Sequence, residues 1–188
     1  LERDVAEKFR LEISGFYTET LKDLYTVKQP AYASEAQVDY ISGLVNGMER
    51  AVAAVDGVDP QNGMQYTDYI DLRSFAQKYI IEELCKNNGA GATSSFFYKP
   101  QDAVSKKLFA GPVWDYDKAY ANLDGINEST GDLCYLMQRG TDPTTLFWHL
   151  YQHSSFQDTV SACYEEFFSD YMQTMQEEKI DEYVSEIH

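Results

Sequence analysis

The apolar residues of this chain recur with helical spacing over three long segments. Side chains three or four positions apart are apolar over residues 34–56, 71–87 and 154–175, which predicts an α-helix in each segment. Ser34 and Asp71 stand directly before two of these runs, where a short polar side chain can cap the first turn of a helix. The chain is therefore predicted to be mainly helical.

Shorter apolar runs predict β structure near the N-terminus and in the middle of the chain. Runs rich in β-branched and aromatic residues, bounded by Gly or Pro, predict strands at 10–13, 15–18, 24–28, 94–99 and 107–110. The last two form a predicted β hairpin over residues 94–110. A short helix from Thr144 or Thr145 to His149 and a final acidic helix complete the prediction of an α+β fold.

The composition indicates one folded, acidic domain. The 188 residues are 44% hydrophobic and 14% aromatic, enough for a sizeable core, and the formal net charge is −16. Nucleic acids and anionic lipids are bound through basic patches, so this charge argues against both as partners. No apolar run reaches the ~20 residues that cross a bilayer, and no membrane span is predicted. The three cysteines lack zinc-site spacing, and Cys85 and Cys163 occupy apolar helical positions typical of free thiols.

The order of features between Tyr69 and Asn122 indicates a phosphoryl-transfer site. A predicted helix is followed by a loop of small residues, then by the hairpin, and then by the acidic string Trp114-Asp-Tyr-Asp117. Kinases place a catalytic loop after a helix and an acidic metal ligand after the hairpin that follows. The residue that would act as the base is not evident from this order.

Five strings of residues carry a family resemblance over this stretch. They are Tyr69-Ile-Asp-Leu-Arg-Ser-Phe75, Glu82-Glu-Leu-Cys-Lys-Asn87, Ser94-Ser-Phe-Phe-Tyr-Lys99, Gly111-Pro-Val-Trp-Asp-Tyr-Asp117 and Ala119-Tyr-Ala-Asn122. Together they resemble the spore-coat protein H (CotH) kinase family, and weaker similarity extends the resemblance over nearly the whole chain. The most specific feature is the Gly-Pro-Val-Trp-Asp-Tyr-Asp string placed after Phe-Phe-Tyr-Lys.

The resemblance implies an atypical protein-kinase-like fold, of which this chain would be the C-terminal lobe. Residues 1–188 would form one partial domain, with 1–33 the end of an upstream β region and 34–188 a helical lobe that carries the hairpin. Family members are secreted or surface proteins of bacteria, in spore coats or extracellular enzyme assemblies. They transfer phosphate from ATP to Ser or Thr of a protein partner, with Mg²⁺ or Mn²⁺ as cofactor.

The chain departs from the family pattern at the position of the catalytic base. The family places an Asp ten residues before the strand lysine, Lys99, and this chain has Gly89 there. Asn88, beside it, can hydrogen-bond a substrate hydroxyl but has no basicity with which to accept its proton. The upstream lobe that holds the ATP phosphates is also mostly absent. Both departures predict a pseudokinase or incomplete fragment that does not transfer phosphate.

The same resemblance assigns metal and nucleotide positions. Asp115 would be the metal ligand, and Ser94, five residues after the missing base, would hold the place of a second ligand. Asp117 is either another ligand, an outer partner of the metal site or a turn residue. Asn87 and Lys99 are assigned to nucleotide binding, Asn87 by orienting the loop backbone. We predict that Asp115 lies at the rim of a cleft within a few ångströms of Ser94.

A second function remains open from the sequence alone. A kinase fold without a base can persist as a structural or protein-interaction module of a spore coat or extracellular assembly. Asp115 is retained whereas Gly89 replaces the base. This combination favours binding of nucleotide, metal or protein over phosphate transfer.

Overall fold

The chain folds as short antiparallel strands against a larger set of helices. The computed structural model describes residues 1–3, 14–87, 94–117, 119–120 and 145–187. Within these ranges the predicted α+β class is confirmed, and helices outweigh strands. The strand predicted at 10–13 lies outside the described residues.

Five short strands pair antiparallel in the order β2–β3–β1–β4–β5. They are β1 (Glu2–Arg3), β2 (Gly15–Tyr17), β3 (Leu24–Thr26), β4 (Ser95–Tyr98) and β5 (Phe109–Ala110). The predicted hairpin is confirmed, since Phe97 pairs with Ala110 and Tyr98 with Phe109. Strand β1 was not predicted, and it joins the N-terminal hairpin to the central one by pairing Glu2 with both Thr26 and Phe96.

The helices begin where the capping residues predict. They are α1 (Glu35–Ala53), α2 (Tyr66–Tyr69), α3 (Leu72–Leu84), α4 (Leu146–Tyr151) and α5 (Ser154–Cys163). Ser34 forms a capping box with Gln37, and Asp71 accepts a hydrogen bond from the backbone N–H of Ser74. Each cap satisfies N–H groups that have no partner within the helix. The short helix α2 was not predicted.

The chain continues as helix from α5 to Ile187. Two π-helical turns, Tyr164–Phe168 and Met175–Lys179, alternate with α6 (Ser169–Thr174) and α7 (Ile180–Ile187). The two helices expected from the sequence are therefore one helical run. A π turn advances by about one residue more than an α turn, so it changes which positions share a face.

A continuous series of aromatic rings joins the sheet to the helices. Neighbouring ring centroids lie 5.5–6.3 Å apart along the series Phe16, Tyr25, Phe97, Phe75, Phe147, Tyr79 and Phe156. Tyr25, Phe75 and Phe156 are fully buried. Such pairs add about 0.5–1.5 kcal/mol beyond the area they bury. The high aromatic content thus fixes β4, which leads into the candidate site, against α3.

Two glycines of α1 provide a matched test of packing against propensity. A Cβ at Gly47 would lie 2.6 Å from Cε1 of Tyr69, whereas a Cβ at Gly43 would meet nothing within 4 Å. Tyr69 cannot swing aside freely, because its hydroxyl donates to Asp59 at 2.9 Å and accepts from Asn62 at 2.7 Å.

Gly43→Ala is expected to stabilise the protein by about 0.5–1 kcal/mol, the usual gain in a helix interior. Gly47→Ala is expected to destabilise it, because overpacking costs about 1–3 kcal/mol and outweighs that gain. Urea unfolding of both variants beside the parent measures the two changes. Equal stabilisation by both substitutions would show that Tyr69 is not held where the structure places it.

Candidate functional site

Ser94 and Asp115 meet at one end of the central hairpin. Ser94 directly precedes β4 and Asp115 follows β5, and antiparallel pairing brings the start of one strand beside the end of the next. The Ser94 hydroxyl donates to Oδ2 of Asp115 at 2.8 Å, in an exposed position. The hydroxyl and carboxylate that the sequence selected therefore lie within direct reach of each other.

The backbone around this pair is strained. Ser94 and Asp115 have φ of 55° and 63°. Lys86, two residues after α3, has φ of 49°, and Tyr120, five residues after Asp115, has φ of 54°. Non-glycine residues rarely adopt positive φ, and such a conformation persists only where the surrounding structure enforces it. Of the described non-glycine residues, just one more, Lys22, has positive φ. The strain is concentrated where the sequence places the site.

Buried polar side chains form a hydrogen-bond network at the C-terminal end of α3. Glu82 is 1% exposed, and its two carboxylate oxygens accept hydrogen bonds from Lys78 Nζ at 2.7 Å and Asn87 Nδ2 at 2.9 Å. Asn87 is also buried, at 1% exposure. Its side-chain amide thus belongs to an internal hydrogen-bond network that includes the C-terminal part of α3. The assignment of Asn87 to orienting the predicted loop stays a prediction.

The segment that carries Asp115 is attached to the same end of α3. The backbone N–H of Tyr120 donates to the Cys85 carbonyl at 2.7 Å, and its hydroxyl lies 3.0 Å from the Cys85 sulfur. The Tyr116 hydroxyl is buried, and burial followed by the negative charge of Glu82 raises the pKa of Tyr116 far above its usual value. Tyr116 therefore faces inward toward Glu82.

Trp114 has the opposite orientation. It is 58% exposed and packs edge-on against Phe96, with ring centroids 5.6 Å apart. Trp114 and Tyr116 flank Asp115 in sequence, and alternation along an extended segment predicts that one packs on the core while the other faces the cleft, although both in the core is about equally compatible with the sequence. In the structure Tyr116 points inward, and Trp114 forms an exposed wall next to Asp115.

Lys99 lies at the other end of β4 from Ser94, roughly 16 Å away at about 3.3 Å per residue. Its ammonium donates to the carbonyls of Pro100 and Ser105 and pairs with Asp102. It borders a groove of about 590 Å³ between α1 and the turn of the hairpin. The structure does not bring Lys99 together with Asp115, and its assignment to nucleotide binding stays a prediction.

The described residues offer few metal ligands. No group of three or more His, Cys, Asp or Glu side chains suited to a metal ion occurs among the described parts of the chain. Asp117 is exposed two residues beyond Asp115. Mg²⁺ commonly binds through one or two carboxylates, with water and phosphate oxygens completing its shell. One exposed carboxylate beside one hydroxyl suits an Mg²⁺ ion that is bound mostly by water and phosphate. It does not suit a metal ion whose ligands all come from the protein.

The predicted position of the base is not among the described residues. Asn88 and Gly89 lie outside the described residues, which resume at Ser94. Cys85 and Cys163 are free thiols, as the sequence indicated.

Comparison with known proteins decides the family. The family model described as CotH kinase protein matches residues 11–188. The chain belongs to the CotH kinase family. No curated protein and no solved structure matches it. Membership suggests a kinase-like module, for which ATP and Mg²⁺ are the expected ligands, and an association with the spore coat. No helix in the described ranges has the length and apolar character needed to span a membrane.

Sequence reasoning on this CotH-family chain missed the roles of Lys78 and Glu82. A pattern that could have identified both is present in α3. Lys78 and Glu82 are spaced i, i+4 and fall on the helix beside the apolar residues Phe75 and Tyr79, all four of them buried. Oppositely charged residues four positions apart that fall on the apolar face of a helix indicate an internal ion pair.

Proposed function

We propose that this chain is a CotH-type pseudokinase module that binds a divalent cation with nucleotide at Asp115 and Ser94, without transferring phosphate. The observation that carries the proposal is the 2.8 Å contact between Ser94 Oγ and Asp115 Oδ2. These are the two positions at which the family pattern places metal ligands. The pattern's base position holds Gly89, which has no side chain to accept a proton.

The strained backbone supports the same assignment. Positive φ at both Ser94 and Asp115 costs about 1–3 kcal/mol at each residue, and such strain clusters at ligand-binding positions. Asp115, with Ser94 beside it, would hold an Mg²⁺ or Mn²⁺ ion, and the ion would offset the negative charge of a nucleotide's phosphates. The chain's own contribution is to keep the carboxylate exposed and oriented. Binding is expected to be weak, because water and phosphate supply most of the metal shell.

Asp115→Asn is expected to remove one Mn²⁺ site from the chain. The loss of a direct ligand should weaken binding by at least the 10- to 100-fold, roughly, that follows loss of an outer partner. Titration calorimetry and electron paramagnetic resonance of Mn²⁺ measure the change, with and without ATP. About 0.15 M salt limits unspecific attraction to this acidic chain.

Asp170→Asn is the matched control, since it removes the same charge from an exposed position on α6. The site is supported if Mn²⁺ affinity falls only in the Asp115 variant. Equal losses in both variants, or unchanged binding in both, would contradict a specific site at Asp115.

The exposed helical run favours a second candidate, a protein-interaction module. Tyr171, Ile180, Tyr183 and Val184 are 50–60% exposed on this helix. The segment 164–187 also carries eight acidic side chains and one basic one. A second copy would bring like charges together, so the partner that fits is a protein segment with Lys or Arg around apolar residues.

Binding of a lysine-rich amphipathic peptide would test that candidate. Binding should fall with added salt and on Ile180→Asp, but less on Gln176→Asp, which adds the same charge at a polar position of the helix. Absence of binding at physiological salt would count against a basic partner. Residence in a spore coat or extracellular assembly belongs to this candidate and rests on family membership.

A further inference from the structure

The buried charges of α3 are unusual for a position so deep in the protein. Lys78 and Glu82 are 3% and 1% exposed and form an ion pair of 2.7 Å. Removing two charges from water costs about as much as their attraction returns, so an apolar pair of similar size would serve stability equally well. The pair therefore calls for an explanation other than the stability of α3.

Glu82 contacts both polypeptide segments that form the site. Its second oxygen accepts from Asn87, the last described residue before the loop that leads to Ser94. The buried phenol of Tyr116, the residue directly after Asp115, is near enough to feel the Glu82 charge, and its hydroxyl has no hydrogen-bond partner among the described residues. The segment that carries Asp115 contacts the same end of α3 a second time, where Tyr120 hydrogen-bonds to Cys85.

We propose that Glu82 is a positioning residue that sets the geometry of the Ser94–Asp115 pair from beneath, with Lys78 offsetting its buried charge. The ligand named in this proposal rests on the proposed function. The positioning of Ser94 and Asp115 by Glu82 does not depend on it. Glu82 reaches neither the ion nor the nucleotide. It holds the Asn87 amide by a hydrogen bond, and its charge lies near the buried Tyr116 phenol. The strained backbone at Ser94 and Asp115 needs such enforcement from its surroundings.

Two double variants separate positioning from stability. Lys78→Met with Glu82→Leu replaces the ion pair by apolar side chains of similar length and removes the contacts to Asn87 and Tyr116. Lys78→Met with Glu82→Gln also removes both charges but keeps an oxygen that accepts from Asn87. Neither variant leaves a single buried charge without its partner. Thermal unfolding establishes that both double variants fold.

The first readout is Mn²⁺ affinity measured by titration calorimetry. The Leu-containing variant is expected to bind Mn²⁺ about 10- to 100-fold more weakly than the parent, the usual effect of losing an outer partner of a metal site. The Gln-containing variant should stay within about threefold of the parent. If the parent binds Mn²⁺, equal affinity in the two double variants would overturn the positioning role.

The second readout does not depend on a metal. Amide hydrogen exchange is expected to speed up at residues 94–96 and 115–120 in the Leu-containing variant alone, while α1 and α4 keep the parent's protection. If the parent binds no Mn²⁺ but this local change occurs, the proposed function fails and the positioning role stands. If exchange is unchanged there, or rises equally across the whole fold, Glu82 is a structural residue and the proposal is wrong.

Discussion

Phosphate transfer from ATP to protein is expected to be undetectable for this chain, and restoring a carboxylate at position 89 is the change expected to raise it most. Gly89 supplies no base, and a positioned base contributes about 10²–10⁴-fold to such a rate. The upstream region that clamps the phosphates supplies electrostatic stabilisation of comparable importance. We expect transfer from Gly89→Asp when these 188 residues are fused to the phosphate-clamping region of an active family member.

A radiolabelled ATP assay measures the result, with the unmodified chain, the fusion and the Gly89→Asp fusion compared under one condition. Gly89→Asn in the fusion is the matched control, because the amide has similar size and no basicity. Transfer by the unmodified chain would contradict the pseudokinase assignment. A Gly89→Asp fusion that stays silent, while the chain binds a basic peptide tightly, would make the interaction module the better function.

The stability of the protein is expected to fall as pH rises from about 4.5 to 7, owing to one buried carboxyl on α1. Glu49 is fully buried, accepts a hydrogen bond from Leu21 N–H at 3.0 Å, and faces Asp23, Arg3 and Tyr25 from the sheet. Burial raises the pKa of Glu49 from 4.5 to about 7. The folded state therefore keeps a proton over this range that the unfolded chain releases.

The sign of the effect follows from that proton. Stability due to Glu49 is complete below pH 4.5 and is lost by pH 7, and the shift corresponds to roughly 3 kcal/mol at about 1.4 kcal/mol per pKa unit. Glu49→Gln keeps an acceptor for Leu21 and cannot ionise, so it should be more stable than the parent at pH 8 by up to about that amount. The two should converge near pH 4.

Urea unfolding between pH 4 and 8 measures this difference directly. Glu19→Gln, which removes an exposed carboxyl close by in sequence to the β2–β3 turn, should leave the parent's pH dependence unchanged. A Glu49→Gln curve parallel to that of the parent would show that Glu49 ionises normally in the folded protein.

The local features of the fold were predictable because they depend on neighbours in sequence. Helices α1 and α3 begin at the predicted caps, Ser34 and Asp71, since a cap involves residues only three positions apart. The central hairpin was predictable for the same reason. The helices predicted over 154–175 and at the C-terminus are also present. Their continuity was not predicted, because the π turns that join them leave no mark in the spacing of apolar residues.

In the candidate site, too, the residues identified from the sequence depend on local strings, whereas the residue that was missed depends on distant contacts. Ser94 and Asp115 were selected from strings in the sequence, and the expected short distance between them follows from the pairing of two adjacent strands. Glu82 was not selected, because a glutamate in a helix is ordinarily a solvated residue. Its importance appears only when Asn87 and Tyr116 are seen to converge on it.

The sequence by itself determined the family, the α+β class, the caps, the hairpin and the pair of candidate metal positions. The proposed absence of a base likewise comes from the sequence, since it depends on the identity of residue 89. Only the tertiary structure decided that Glu2–Arg3 joins the two hairpins, that Glu49 is buried, and that Glu82 is buried and hydrogen-bonded to Lys78 and Asn87. Those features depend on contacts between distant parts of the chain, which no local pattern records.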